Sequence, residues 1–193
     1  MEDGARLLLM YVVFPVWVAF GCADWACHRR TRIEHTSGLK ENLFHWLLLA
    51  EIGVAMLAVA LLEVNAAILL LVFAAFLAHE LTTWVELQYT VPLREVGPTE
   101  QMIHSFLEIL PLLSLALLAV QHWGQVLSLF DEAMPDFGLR WKDEPWPSAY
   151  LWAAFAGAAL FNGLPLAEET WRCWRRKRWG ERGSPQPAKV DAS

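Results

Sequence analysis

Five apolar runs, each of about 20 residues, constrain the fold of this chain more than any other feature. A helix rises ~1.5 Å per residue, so such a run is long enough to cross the ~30 Å hydrocarbon core of a bilayer. Of the 193 residues, 56% are hydrophobic, and the mean hydropathy is +0.32. We therefore predict an all-α, polytopic membrane helix bundle whose transmembrane spans are 7–27, 43–62, 64–86, 102–122 and 149–170.

The segments between and after these runs indicate a single transmembrane domain, 1–179. The turn between the second and third runs is too short for anything but an antiparallel helix pair. We expect the first four spans to form a four-helix core, and the mixed segment 123–147 to lie along the outer surface. Residues 180–193 are polar and rich in proline and glycine, which predicts a disordered cytoplasmic tail.

Basic residues predict the orientation in the membrane. Twelve of the fifteen Lys and Arg residues fall in the loops after the first and third spans or after the fifth span. Because such residues are enriched on the cytoplasmic side, we expect the N-terminus outside and the C-terminus in the cytoplasm. A net charge of -6 with no basic face outside the tail argues against a nucleic-acid partner.

Acids and histidines recur where the first four spans meet this predicted cytoplasmic side. The spacing acid-x-x-x-His, which stacks both side chains on one helix face, occurs three times. The third span carries a histidine and an acid seven residues on, which share a face; Glu80 is the alternative acid and is turned ~100° away. The full set is Asp24 with His28, Glu41 with His45, His79 with Glu86, and Glu100 with His104.

Carboxylate and imidazole ligands together favour a divalent first-row metal. Four of each suit two ions, and four negative charges would balance two divalent cations at a depth where uncompensated charge is costly. We expect a pair of iron ions, with manganese or zinc as alternatives. The pattern departs from ferritin-like di-iron bundles, in which two helices carry Glu-x-x-His and two carry a lone glutamate. Outside the ligands we expect Arg94 and Glu108 to serve the chemistry.

Three functions remain open from the sequence. The first is a membrane oxidoreductase acting on a lipid-like substrate from the bilayer, with electrons from a redox partner. The second is a hydrolase of a lipid head group that uses the same ligands and a metal-bound hydroxide. The third is not an enzyme: the polar cluster would carry ions or protons, or would lock four helices together.

Three stretches carry a resemblance to known sequences. They read DWxxHR from Asp24, IExTSGxxExxxH from Ile33, and REVxPxEQxxHSFLE from Arg94. In these stretches the chain resembles a family of small bacterial inner-membrane proteins. The resemblance covers spans one to four and implies a location in the bacterial cytoplasmic membrane. It implies neither a reaction nor a ligand.

Overall fold

The protein is a bundle of long helices in the computed structural model, which describes residues 2–130 and 134–183. Within this part of the chain, five helices are long and apolar enough to cross a membrane, and the predicted fold class is confirmed. We number them in chain order together with one short helix. They are α1 (Gly4–Thr31), α2 (Gly38–Leu61), α3 (Ala66–Thr90), α4 (Pro98–Gln121), the short α5 (Trp123–Ser128) and α6 (Ser148–Trp179).

The tight pairing of α2 with α3 follows from the turn between them. Asn65 caps α3: its side-chain oxygen accepts hydrogen bonds from the backbone amides of Ala67 and Ile68, at 3.1 and 3.3 Å. This satisfies two of the amide groups that the first turn of a helix leaves without intrahelical partners. Chain direction therefore reverses within a few residues, and α2 and α3 pack side by side as the sequence predicts.

Each of two spans contains one π-helical turn. Leu9–Val13 in α1 and Ala159–Gly163 in α6 depart from the α-helical hydrogen-bond pattern. The second turn holds Asn162 against α1, where a Cβ atom built on Gly21 would lie only 2.4 Å from the Asn162 amide nitrogen. Because glycine has no side chain, α6 approaches α1 closely at this point. The close approach brings the second half of α6 onto the bundle.

The first four spans meet at one end of the bundle, which we call the polar end: α1 finishes there at Thr31, α2 starts at Gly38, α3 finishes at Thr90 and α4 starts at Pro98. Helix α6 packs along α2 and α1 and finishes toward the same end. Apolar contacts fill the bundle away from that end, centred on residues such as Val59, Ile68 and Leu118. Polar side chains of all five long helices therefore lie in a common layer at the polar end.

The two segments predicted to lie outside the bundle are described in part. Beyond the short helix α5, residues 134–147 are largely irregular, and Trp141 forms an isolated backbone bridge with Leu62; residues 131–133 lie outside the described residues. At the C-terminal end the helix continues to Gly183. Residues 184–193 lie outside the described residues, so the predicted disordered tail stays a prediction.

Candidate metal centre

Buried ionisable side chains gather at the polar end of the bundle. Glu41 and Glu169 are fully buried, and His28 is 1% exposed. Side chains of this kind are rarely buried unless they are paired or bind a metal. The other buried members are Asp24, His79, Glu86, Arg94 and Glu100.

One group of four residues has the composition of a metal site. Asp24, His28, Glu100 and His104 each offer a ligand atom, and these atoms lie within 4.8 Å of one another. The acids contact histidines of the other helix: His104 Nε2 lies 2.9 Å from Asp24 Oδ1, and His28 Nε2 lies 3.2 Å from Glu100 Oε1. Two imidazoles and two carboxylates from α1 and α4 could therefore hold a divalent ion, with the two acids balancing its charge.

His28 is oriented by a carboxylate on α6. Its Nδ1 lies 3.1 Å from Glu169 Oε2, the geometry of an N–H donating to a carboxylate. Its Nε2 is buried and makes no hydrogen bond of acceptable geometry, although carboxylate oxygens of Glu100, Asp24 and Glu41 lie 3.2, 3.5 and 3.8 Å away. In metal sites, a carboxylate commonly accepts a hydrogen bond from one ring nitrogen of a histidine. This contact fixes the tautomer and leaves the other nitrogen free to bind the metal.

A second group shares His28 with the first. His28, Glu41 and His45 also place ligand atoms within 4.8 Å of one another. The rings of His28 and His45 stack with centroids 4.6 Å apart, and His45 Nδ1 lies 3.5 Å from the same Glu169 carboxylate. His45 Nε2, like that of His28, is buried without a partner. Two overlapping groups of possible metal ligands are thus present, and they have His28 in common.

Arg94 joins two of the acids. It lies in the loop between α3 and α4, where its Nε donates to Glu41 at 3.2 Å and its Nη1 donates to Glu100 at 3.0 Å. Burial by itself would lower the pKa of Arg94, but the hydrogen bonds to Glu100 and Glu41 raise it above its ordinary value. The guanidinium is therefore permanently charged, and it holds the two carboxylates in fixed positions.

The third predicted pair is arranged differently from the others. His79 and Glu86 line the central cavity but belong to neither ligand group among the described residues. The Glu86 carboxylate accepts a hydrogen bond from Thr90 at 3.0 Å, and the acid nearest to His79 is Glu51 of α2, at 3.9 Å. Glu80 does not line the cavity.

A cavity of about 110 Å³ lies between these groups. About 15 Å³ is enough for one water molecule, so the space admits an ion together with small ligands. Its walls include Asp24, His28, His45, His104 and Glu169. Glu108, which we expected to serve the chemistry, also lines it, whereas Glu41, Glu100 and Arg94 do not.

Helix α6 contributes to the polar network, which the acid–histidine spacing did not predict. The predicted four-helix core left out the fifth span, whereas Glu169 of this span is fully buried at the centre of the network. Asn42 of α2 donates to the Glu169 carboxylate at 3.0 Å. The signal was present in the sequence: Glu169 is an acid near the end of an apolar run, seven residues after Asn162 on one helix face.

Comparison with family models, with curated proteins and with solved structures finds no match to this chain. The functional interpretation therefore depends on the geometry of the residues themselves.

Proposed function

We propose that this protein is an integral membrane metalloenzyme: a carboxylate/histidine site, holding two iron ions, oxidises a lipid-like substrate taken from the bilayer. Dioxygen would be the oxidant, and a redox partner would supply the two further electrons needed to reduce it to water. The observation that carries the proposal is the buried, unpartnered Nε2 of His28, which faces oxygens of Asp24, Glu41 and Glu100. If the imidazole of His28 is neutral, the lone pair on Nε2 is repelled by the three carboxylates. The repulsion is removed if a cation lies between these groups or if the imidazole is protonated. A divalent metal ion meets the first condition.

Charge supports two ions rather than one. Five acids are buried at the polar end: Asp24, Glu41, Glu86, Glu100 and Glu169. Arg94 offsets one of them, which leaves four negative charges when the histidines are neutral. Two divalent ions would balance this charge in an environment of low dielectric constant. Because the two ligand groups share His28, further ligands for a second ion would come from other cavity-lining residues, such as His45 and Glu86.

The ligand set and the surroundings favour iron and a lipid-like substrate. Mixed imidazole and carboxylate ligands suit iron, manganese and zinc alike, and iron adds redox chemistry to the site. The surrounding helices are those that would cross the membrane. A hydrophobic substrate dissolved in the bilayer could then reach the site without passing through water. The acids and Arg94 would hold the ligands rigid, and Glu108 is placed on the cavity wall to exchange a proton.

A second candidate function follows from the way Arg94 pairs with Glu41 and Glu100. A network of this kind compensates part of its own charge, and a protonated His28 among the acids would compensate more. In that case the polar end would carry protons or ions, or would fix the helices relative to one another, and no metal would be needed. A hydrolase of a lipid head group is the third candidate, and zinc rather than iron would indicate it.

Replacement of single histidines in protein purified in detergent separates these functions. We expect His104→Ala to lose most of the bound metal, because His104 belongs to the four-residue ligand group. The matched control is His35→Ala: His35 lies just after α1 at the same end of the bundle, and its side chain is 47% exposed. Elemental analysis and the optical spectrum give the metal and its amount. Equal metal in both variants would contradict the proposal, and zinc in place of iron would favour hydrolysis.

A further inference from the structure

A second and larger cavity lies directly below the candidate metal centre. Its volume is about 400 Å³, within the range of pockets that bind small molecules. Trp17 of α1 and Leu49 of α2 line both this cavity and the polar one above it. The two spaces therefore adjoin at these two side chains, and one end of the lower cavity is directed toward the candidate metal centre.

The walls of this lower cavity are almost entirely apolar, and the polar side-chain groups on them are two hydroxyls and the indole N–H groups of Trp17 and Trp146. Among the described residues that line it, none carries a charge, and only Ser114 and Tyr150 carry a hydroxyl. Both hydroxyls are already used: Ser114 donates to the carbonyl of Leu110, and Tyr150 donates to the carbonyl of Met10, each at 2.8 Å. Even a smaller apolar cavity of ~150 Å³ excludes water and takes up apolar molecules. This lining therefore favours a ligand that is hydrocarbon along most of its buried length.

The dimensions of the cavity fit a single chain. Along α2 its wall extends from Leu49 to Ala60, which at ~1.5 Å per residue is a depth of ~16 Å. That is half of a hydrocarbon core of ~30 Å, the depth that one acyl chain covers in a bilayer. Trp146 and Tyr150, whose ring centroids are 6.0 Å apart, line it near the start of α6, at the end of the bundle opposite the metal centre.

We infer that this lower cavity holds the hydrocarbon chain of a single-chain amphiphile, whose polar end lies at the carboxylate/histidine cluster. The inference rests on the proposed function and specifies its substrate class. A polar head group finds no charged side chain in the lower cavity and several in the upper one, so the cost of burying the head group favours this orientation. A lipid with two chains would need a second apolar space of similar length beside the first.

Two glycines provide a matched test of chain binding. A Cβ atom built on either Gly53 or Gly157 has no other atom within 4 Å, so both positions accept a larger side chain. Gly53 lines the lower cavity, whereas Gly157 does not. Gly53→Leu would fill the space and Gly157→Leu would leave it open. Ala154→Leu, on the opposite wall, fills the same space from α6 if Gly53→Leu fails to fold.

The probe is palmityl alcohol carrying a mid-chain diazirine, irradiated with the purified full-length protein, and the adducts are mapped by peptide mass spectrometry. We expect labels on walls of the cavity such as Met56 and Phe76. Labelling should fall about tenfold in Gly53→Leu, equivalent to ~1.4 kcal/mol of binding, and stay unchanged in Gly157→Leu. Labels confined to lipid-facing residues such as Val54, or equal labelling of both glycine variants, would overturn the inference.

Metal content measured on the same samples separates this inference from the proposed function. If the chain labels the cavity but no metal copurifies, the metalloenzyme proposal fails and the amphiphile site stands. If metal is present at full occupancy but the cavity is not labelled, the amphiphile site fails and the metal centre stands.

Discussion

At the scale of single residues, the candidate site depends on His28. Its ring is held between Glu169 on one side and the oxygens of Asp24, Glu41 and Glu100 on the other. Glu169 orients the ring, and Arg94 fixes two of the three facing carboxylates. Both residues would act on a bound metal only through other side chains, so we treat them as positioning residues. Their replacement tests the arrangement without removing a ligand.

We predict that Glu169→Ala weakens metal binding by about 10- to 100-fold, because carboxylates behind ligating histidines contribute roughly that much. The neighbouring Glu168→Ala is the matched control, since Glu168 pairs with Arg29 and Arg172 at the rim of the bundle. Metal titration of both variants after chelator treatment gives the dissociation constants. The arrangement around His28 would be contradicted if the two variants bound metal equally well.

Arg94→Lys should destabilise the protein although the charge is kept. A lysine cannot span Glu41 and Glu100 as the planar guanidinium does, and an unsatisfied buried acceptor costs about 1–3 kcal/mol. The control is Arg29→Lys: Arg29 is 57% exposed and pairs with Glu168, so we expect a change within ~0.5 kcal/mol. The free energy of unfolding in detergent is the measurement. Equal stability of the two variants would mean that the Arg94 bridge contributes little.

At the scale of helices, the sequence predicted where the membrane-spanning helices lie but not which side chains contact one another between helices. Apolar run length is enough to locate a membrane span, since a bilayer admits few other structures. The spacing of Asp24 with His28 and of Glu100 with His104 pointed to candidate ligands on α1 and α4, and these four side chains lie close together. It did not reveal that His104 contacts Asp24 and that Glu100 contacts His28, because contacts between helices depend on packing.

The role of helix α6 is the clearest example of a feature that the spacing of acids and histidines in the sequence does not predict. Its role depends on the close approach to α1 at Gly21 and on the π-helical turn that holds Asn162 there. A π-helical turn has no reliable sequence signal, and Gly21 is an ordinary glycine in an apolar run. The burial of Glu169 follows from that contact, so the residue was overlooked while the acid–histidine pairs were found.

Gly21→Val tests the helix contact. We expect a loss of about 1–3 kcal/mol, the range typical of overpacking, since the added atoms would displace Asn162 and move α6. Gly157→Ala is the control: it meets open space, and replacing a mid-helix glycine by alanine gains up to ~1 kcal/mol. Thermal unfolding in detergent compares the two. An unchanged melting temperature in Gly21→Val would show that α6 tolerates a looser contact with α1.

At the scale of the whole molecule, the polar end of the bundle is also the basic one. Arg29, Arg30 and Arg32 lie at the end of α1, Arg94 lies between α3 and α4, and the cluster from Arg172 to Arg178 lies near the end of α6. An excess of Lys and Arg at one membrane face is typical of the cytoplasmic side. We therefore propose that the site faces the cytoplasm, where a soluble redox partner could reach it.

Reporter fusions test this orientation. A fluorescent protein that folds only in the cytoplasm, fused after residue 193, should be bright, and a phosphatase that is active only outside should be inactive at the same place. We expect the reverse pattern for fusions in the segment between α5 and α6. An active phosphatase at the C-terminus would place the cluster on the outer side and remove the argument for a cytoplasmic redox partner.

The amount of metal per chain tests the central claim most directly. The protein would be purified in detergent from cells supplied with iron, manganese and zinc, and quantified by elemental analysis against its amino-acid content. We predict close to two iron ions per chain, removable by a chelator and restored by Fe²⁺. A folded, monodisperse protein without stoichiometric transition metal, and unable to bind any on addition, would contradict the claim that these carboxylates and histidines form a metal centre.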